Sequence, residues 1–343
     1  MEAKTHAKFM VGYQPYAPDL MEVISLYANR ISEVYFSWPG TPNGRGNLTE
    51  RQGMVDWDGV RVLEHDLLNI KKAGIKLDLL LNGNCYGGGA LSKALANRIH
   101  SILSYLAQKG CAADVVTTTS PAVAHMVKTI SPNTEVRASV NMRIGTVEGM
   151  EYTAHLFDSY YVQRDYNRDL LRIAMLKEWA DQNGKRLFML ANSGCMRFCS
   201  GQTFHDNLVA HTSEIEASDN INFQPHMCWH YLKDRAHWPA VLQSTWIRPE
   251  DIRHYLPYCD AFKLATRMHE RPAMVVEAYV RGQFFGNLMD LFEPGFGPAL
   301  APYVVDSSKM PKDWFLKTTQ CDKNCHTCGY CKAALDQALV LCE

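Results

Sequence analysis

A chain of 343 residues with 47% hydrophobic content can bury a large core, either as two domains or as one α/β barrel with extensions. Its 35 basic and 36 acidic residues leave a formal net charge of −1, which removes any overall electrostatic reason for a nucleic-acid or anionic-membrane partner. No stretch reaches the ~18 consecutive apolar residues of a membrane span, and the first residues carry no run suited to a signal peptide, so a cytoplasmic protein with reduced thiols is expected.

In chain order, short β-rich runs alternate with helical patterns. Strands are predicted at 8–13, 33–37, 76–82, 114–119, 135–141, 159–163, 186–192 and 261–266. Helical patterns begin at Asp19, Val60, Leu91, Pro121, Asn167 and Arg271, several with apolar residues at i, i+3, i+4 spacing, and three close on Gly74, Gly110 and Gly184. Eight strands each followed by a helix predict a (β/α)8, TIM-like barrel of the α/β class; a doubly wound open sheet gives much the same pattern and ranks second. Residues 201–250 are too long for a simple connection and form an insertion after the seventh strand. Beyond Pro294 a Pro- and Gly-rich stretch leaves the pattern. The expected division is a barrel over 1–295, insertion included, and an extension over 296–343 that carries a cysteine-rich loop.

Cysteine placement narrows the chemistry. Four of the eleven cysteines, Cys321, Cys325, Cys328 and Cys331, fall within eleven residues. The C-x3-C-x2-C-x2-C spacing keeps four soft sulfurs close together, as a metal or iron–sulfur loop requires. Structural zinc sites usually draw two ligand pairs from separate knuckles, so the single packed run favours a [4Fe–4S] cluster, with zinc as the competing metal. Three of these cysteines plus an outside ligand is a further arrangement. Cys321, Cys325 and Cys328 also match the spacing of radical S-adenosylmethionine enzymes, but those carry the motif after an early strand, and the match is read as coincidence.

Upstream, Cys195 and Cys199 form a C-x3-C pair beyond the seventh strand. Cys85 follows the third strand on the same rim, and Cys228 comes from the insertion above it. Together Cys85, Cys195, Cys199 and Cys228 are a candidate ligand set for a [4Fe–4S] cluster in the barrel. The competing reading leaves Cys85 and Cys228 as ordinary buried cysteines and only the pair as special. Cys111, Cys259 and Cys342 stand alone as small apolar fillers.

Barrel enzymes place reactive groups at the C-terminal ends of their strands. The polar residues expected there, and hence the candidates for a substrate pocket, are Asn141, Arg164, Asp165, Asn192, Lys263 and Arg267. Arg164 and Asp165 suit either a clamp for a carboxylate or phosphate or a rim salt bridge. Gly87, Gly88 and Gly89 suit either an anion-binding loop or clearance beside Cys85. His205 and His211 are either neighbours of the cluster or ordinary hydrogen-bonded histidines, and Trp246 to Asp251 has the look of a helix start. Neither an H-E-x-x-H nor a G-x-S-x-G motif occurs, so protease chemistry finds little support.

The segments NSGCMRFCSGQTFH from Asn192, WIRPEDIRHYLPYCDAFKLATR from Trp246 and the terminal CDKNCHTCGYC resemble the collagenase-like, PrtC-type superfamily, family thirty-two of the unclassified peptidases. The resemblance implies a TIM-like barrel carrying a [4Fe–4S] cluster, as in branches similar to the UbiU and UbiV proteins of ubiquinone synthesis or the proteins that hydroxylate RNA bases. Carried over by position, it puts Cys195, Cys199 and Cys228 on that cluster and makes Cys85 the best fourth ligand. The chain departs from the ubiquinone-pathway proteins in its other cysteine spacings and in its terminal run. The expected function is an iron–sulfur oxidoreductase, with oxygen-independent hydroxylation of a small-molecule substrate as the reaction and an electron-donor protein as partner. Nucleic acid and membrane are not expected partners, and self-association stays open. A structural or binding barrel with a zinc-bound tail is the alternative, and a peptidase the second alternative.

Overall fold

The computed structural model describes residues 6–45, 50–51 and 54–342. Eight strands, β1 (Phe9–Gly12), β2 (Ile31–Ser37), β3 (Lys76–Leu81), β4 (Val115–Thr118), β5 (Glu135–Ala138), β6 (Ser159–Tyr161), β7 (Arg186–Leu190) and β8 (Ala261–Leu264), lie where the sequence placed them. They pair in parallel in the order β1-β8-β7-β6-β5-β4-β3-β2, and β2 returns to β1, which closes the (β/α)8 barrel. Helices α1 (Leu20–Leu26), α2 (Trp57–Lys72), α3 (Lys93–Gln108), α4 (Pro121–Ile130), α5 (Val147–Glu151) and α6 (Leu170–Gln182) follow the first six strands. Their start signals are explicit: Asp56, Ser92, Ser120 and Asp169 each accept a backbone N–H three residues on, at 3.0 to 3.3 Å. Each such cap is worth about 1 kcal/mol. No helix among the described residues is long and apolar enough to cross a membrane.

Several elements end earlier than expected, and two show the reason. The fifth strand stops at Ala138 because the Ser139 hydroxyl accepts the Asn141 N–H at 3.3 Å and turns the chain into a 3-10 segment, with Arg143 left-handed at φ +56°. The helix expected from Arg271 to Phe292 is cut at Arg281 by Gly282, which takes φ +66° and caps it. Likewise the helix start at Trp246 to Asp251 yields a 3-10 helix, Pro249–Tyr255.

Strand alternation separates two environments. Val34, Phe36, Leu77, Leu79 and Val136 belong to the large apolar shell under the helices, while Met10, Tyr35, Leu80, Tyr161 and Phe188 form a small cluster of their own inside the barrel. Between these interior residues lie charges. Arg137 is fully buried and holds Glu33 with both Nη atoms, at 2.6 and 2.9 Å, while Nη2 also reaches Glu135 at 2.8 Å. Its guanidinium stacks 4.0 Å from the Phe188 ring centroid. Asp78 accepts from Thr117 at 2.8 Å. The Lys263 ammonium sits 3.8 Å from the Tyr35 ring centroid. Burial pushes the Asp78 carboxyl up and the Lys263 ammonium down.

The insertion between β7 and β8 contains α7 (Gln202–Ala210) and α8 (Met227–Tyr231). After β8 come α9 (Pro272–Arg281), strand β9 (Tyr303–Val305), helices α10 (Trp314–Gln320) and α11 (Tyr330–Ala338), and strand β10 (Leu339–Leu341), which pairs antiparallel with β9. A second apolar core joins these parts. Leu232, Leu242 and Trp246 of the insertion pack with Phe292 and Phe296 beyond β8 and with Trp314 and Leu335 of the extension. Insertion and tail therefore share one interior.

Candidate functional site

The chain beyond β7 is shaped by close backbone contact. Asn192, fully buried, donates to the carbonyls of Ala265 at 3.1 Å and Leu291 at 2.9 Å, which ties the end of β7 to the segments after β8. The Gly194 N–H then donates to the Glu293 carbonyl at 3.0 Å. A Cβ on Gly194 would stand 2.1 Å from the Pro294 carbonyl oxygen, so glycine alone permits the approach that presents Cys195. The loop continues through Phe198 at φ +50°, whose N–H is accepted by the Asp165 carboxylate at 2.6 Å. At the start of α7, an added Cβ on Gly201 would meet Met227 Cγ at 3.0 Å and Cys199 Sγ at 3.9 Å. This contact presses the C-x3-C loop against α8 and its Cys228.

Cys195, Cys199 and Cys228 thereby line one cavity of about 480 Å³ at the barrel mouth, shared with Arg164, His205 and His226. The two imidazoles meet edge to face with centroids 4.7 Å apart. Arg45 crosses the wall to Glu293 at 2.9 Å, and Trp229, Met196 and Met268 supply apolar surface. Burial pushes the Cys228 thiol up, and neighbouring Cys195 adds to the shift. Burial pushes His205 down, reinforced by Arg45 and His226. A second cavity, of about 590 Å³, is lined by Cys199, Cys228 and Cys325. A small one of about 30 Å³ joins Arg164 to Cys321, Cys325 and Cys331. Burial pushes the Cys331 thiol up to about 11. The two cysteine groups, distant in sequence, are thus neighbours.

Among the described residues, no three His, Cys, Asp or Glu side chains stand close enough to hold a single metal ion. A cubane sets a different requirement, because each thiolate binds a different iron and the ligands spread around a larger body. Three thiols bordering one cavity fit that donor set.

Of the other residues singled out in the sequence, Arg164 lines the cavity and Asp165 shapes its loop by engaging backbone rather than Arg164. Asn192 is a tie between segments, Lys263 lies inside the barrel, and Arg267 donates to Asn43 Oδ1 at 3.0 Å. Asn141 is half-buried in the turn after β5. Cys85 does not line the cavity; its Sγ accepts the Gly87 N–H at 3.4 Å, and His211, at the end of α7, lies on the other side of Gly87, while His205 of the same helix lines the cavity with the cysteines. Arg45, His226, Trp229 and Glu293 escaped the sequence reading. For His226 the H-x-C spacing to Cys228 was an available signal, whereas Arg45 and Glu293 meet across 248 positions with no local mark.

No family model matches the chain. An uncharacterised protease of Methanocaldococcus jannaschii is 23% identical over 275 residues, which span 78% of this chain and 79% of that relative. Among solved structures, the U32 peptidase Mk0906 shares the fold with a TM-score of 0.55 at 15% identity, over 77% of this chain and 95% of that one. These likenesses bear out the resemblance to the U32 peptidase family.

Proposed function

We propose that the protein is an iron–sulfur oxidoreductase acting on a small molecule. In this reading Cys195, Cys199 and Cys228 would hold a [4Fe–4S] cluster at the barrel mouth, and Cys321, Cys325, Cys328 and Cys331 would hold a second, the electron relay. One observation carries the proposal: three cysteines line a single cavity, and Cys325 of the terminal run shares the adjoining wall with two of them. A bound cluster supplies one-electron transfer at a potential set by charge, burial and hydrogen bonds. The chain's own residues supply the rest. Trp229, Met196 and Met268 keep water from part of the cavity, Arg164 and the Arg45–Glu293 pair orient a polar substrate, and His205 and His226 offer ring nitrogens that take up or release a proton. Oxygen-independent hydroxylation is the reaction the family resemblance suggests.

Anaerobic purification followed by iron and sulfide analysis and paramagnetic resonance tests the proposal. Two clusters give roughly eight irons per chain, and Cys195→Ser and Cys328→Ser should each remove about half. Unchanged iron in Cys195→Ser would contradict the cavity assignment, and a colourless, zinc-only protein would favour the structural-tail alternative. Point variants are needed here, because deleting the chain after Trp314 would also strip Leu335 and Ala338 from the second core.

A further inference from the structure

The N-terminal end of the barrel carries a recess that neither cysteine group touches. It measures about 620 Å³ and is lined by Ala7 and Arg30, which lead into β1 and β2, by the 3-10 helix before β8, and by the chain leaving α9 through Gly282. Barrel enzymes run their chemistry at the opposite end, so a built polar recess here calls for its own explanation. Three arginines border it: Arg30, Arg253 and Arg281.

Their charges are thinly met. Arg30 donates from Nε to the Ala7 carbonyl at 2.9 Å and lies 5.9 Å from the Phe9 ring centroid, which fixes the guanidinium without neutralising it. Burial lowers Arg30 from its usual value, and no neighbouring charge offsets the shift. Arg253 donates to the ring of the adjacent His254 at 3.4 Å, and Arg281 stands 3.5 Å from Glu277 on the exposed side of α9. By contrast Arg248, on the approach to the same 3-10 helix, holds both oxygens of Asp251 at 2.9 and 3.1 Å. Glu250, the acid in the wall, is engaged by the Phe284 N–H at 2.9 Å. Ile252, Leu256 and Val280 give the recess an apolar floor. Its size and mixed lining are those of a small-molecule pocket.

We propose that this recess binds a small organic phosphate, its phosphoryl group held by Arg30, Arg253 and Arg281 and its body laid on Ile252, Leu256 and Val280. Guanidinium forks match the oxygens of phosphate and carboxylate alike. Three of them around one recess outnumber the single charge and two oxygens of a carboxylate, whereas a phosphate monoester brings about two charges and three acceptor oxygens. The site lies at the far end of the barrel from the cysteines, so it stands or falls independently of the proposed clusters.

The test titrates the full chain, purified anaerobically, with adenosine 5′-monophosphate, adenosine, inorganic phosphate and succinate by calorimetry at near-physiological salt. The expected result is one site per chain for the nucleoside monophosphate, tighter than for inorganic phosphate because the apolar floor adds contact, and no saturable binding of adenosine or succinate. Arg253→Gln should weaken the monophosphate roughly 10-fold or more, the loss expected from one charged hydrogen-bond donor, and Arg253→Lys should restore part of it. Arg253→Gln with Arg281→Gln should abolish binding; both side chains are exposed, so the double variant keeps the fold. Hydrogen exchange should slow on binding in segments 249–256 and 279–284 and stay unchanged at 195–205. Failure of both phosphates to bind, undiminished affinity in the double variant, equal binding of succinate, or protection at the cysteine cavity instead would each overturn the proposal. Retention on vesicles containing phosphatidic acid, with the soluble phosphates unbound, would mark a lipid headgroup and overturn it equally.

Discussion

The interior of the barrel and its mouth are built on the same strands yet reach opposite solutions. Inside, Arg137 is enclosed by Glu33, Glu135, Ser159 and the Phe188 ring, so charge is met by charge and space is filled. At the mouth, thiols, imidazoles and two guanidinium groups line an open cavity. A buried charge set adds little net stability over an apolar filling but is costly to break. The interior is therefore a scaffold that fixes strand positions, and the open, polar surface is left to the rim, where the C-terminal ends of the strands release their loops.

That contrast is exposed to direct attack. The largest expected effect is at the mouth: on the proposed cluster reading, Cys228→Ser should lower the iron content by roughly four atoms per chain, as measured by metal analysis. If the iron stays, Cys228 is only packing. Next comes the interior, where Arg137→Met strands two buried carboxylates and should cost about 3–5 kcal/mol in urea unfolding. A loss below about 1 kcal/mol would show that the scaffold does not depend on the paired charges. Gly194→Ala drives a Cβ into the Pro294 carbonyl and should cost about 1–3 kcal/mol, lowering the thermal midpoint and the iron bound together. The smallest effect concerns Glu135. Burial alone would raise its carboxyl, but Arg137, Ser159 and Arg186 outweigh burial and hold it below the usual range. A lowered folded-state value contributes stability that is full above the unfolded value and is lost as pH falls through the folded one. The stability gap between wild type and Glu135→Gln should therefore be widest near neutrality and close as the pH drops below the ordinary Glu value of about 4.3. A gap that widens in acid would refute the pairing.

Local pattern and long-range contact explain what the sequence revealed. Runs such as KLDLLL from Lys76 and RLFML from Arg186 carry their strand character in themselves, and all eight strands were legible to within a few residues. The inward charges carried a usable mark as well: Glu33 and Tyr35, or Asp78 and Leu80, share one parity, so one face of each strand was set apart from its apolar shell. The insertion was opaque because its short helices owe their position to the tail, through Trp246 on Trp314 and Trp229 on Phe296. The cysteine pair and Cys228 were legible from spacing and resemblance, and they converge on one cavity. The neighbour of the Cys85 loop was not, since His211 reaches Gly87 only through the packing of the insertion over the rim.

The stacked rings that join the insertion, the segment after β8 and the tail have an optical consequence. Phe292, Trp246, Trp314 and Tyr330 follow one another at centroid separations of 4.7, 5.5 and 6.1 Å, and Arg168 lies over both indoles. Two of the seven tryptophans thus sit in series close to the cysteine loops. A proposed cluster bound nearby would drain their excited state by energy transfer, while a loosened tail would unstack them and alter the emission colour. Loading would then dim the ultraviolet glow and undocking would shift it, so a fluorimeter would distinguish the two events without any substrate in hand.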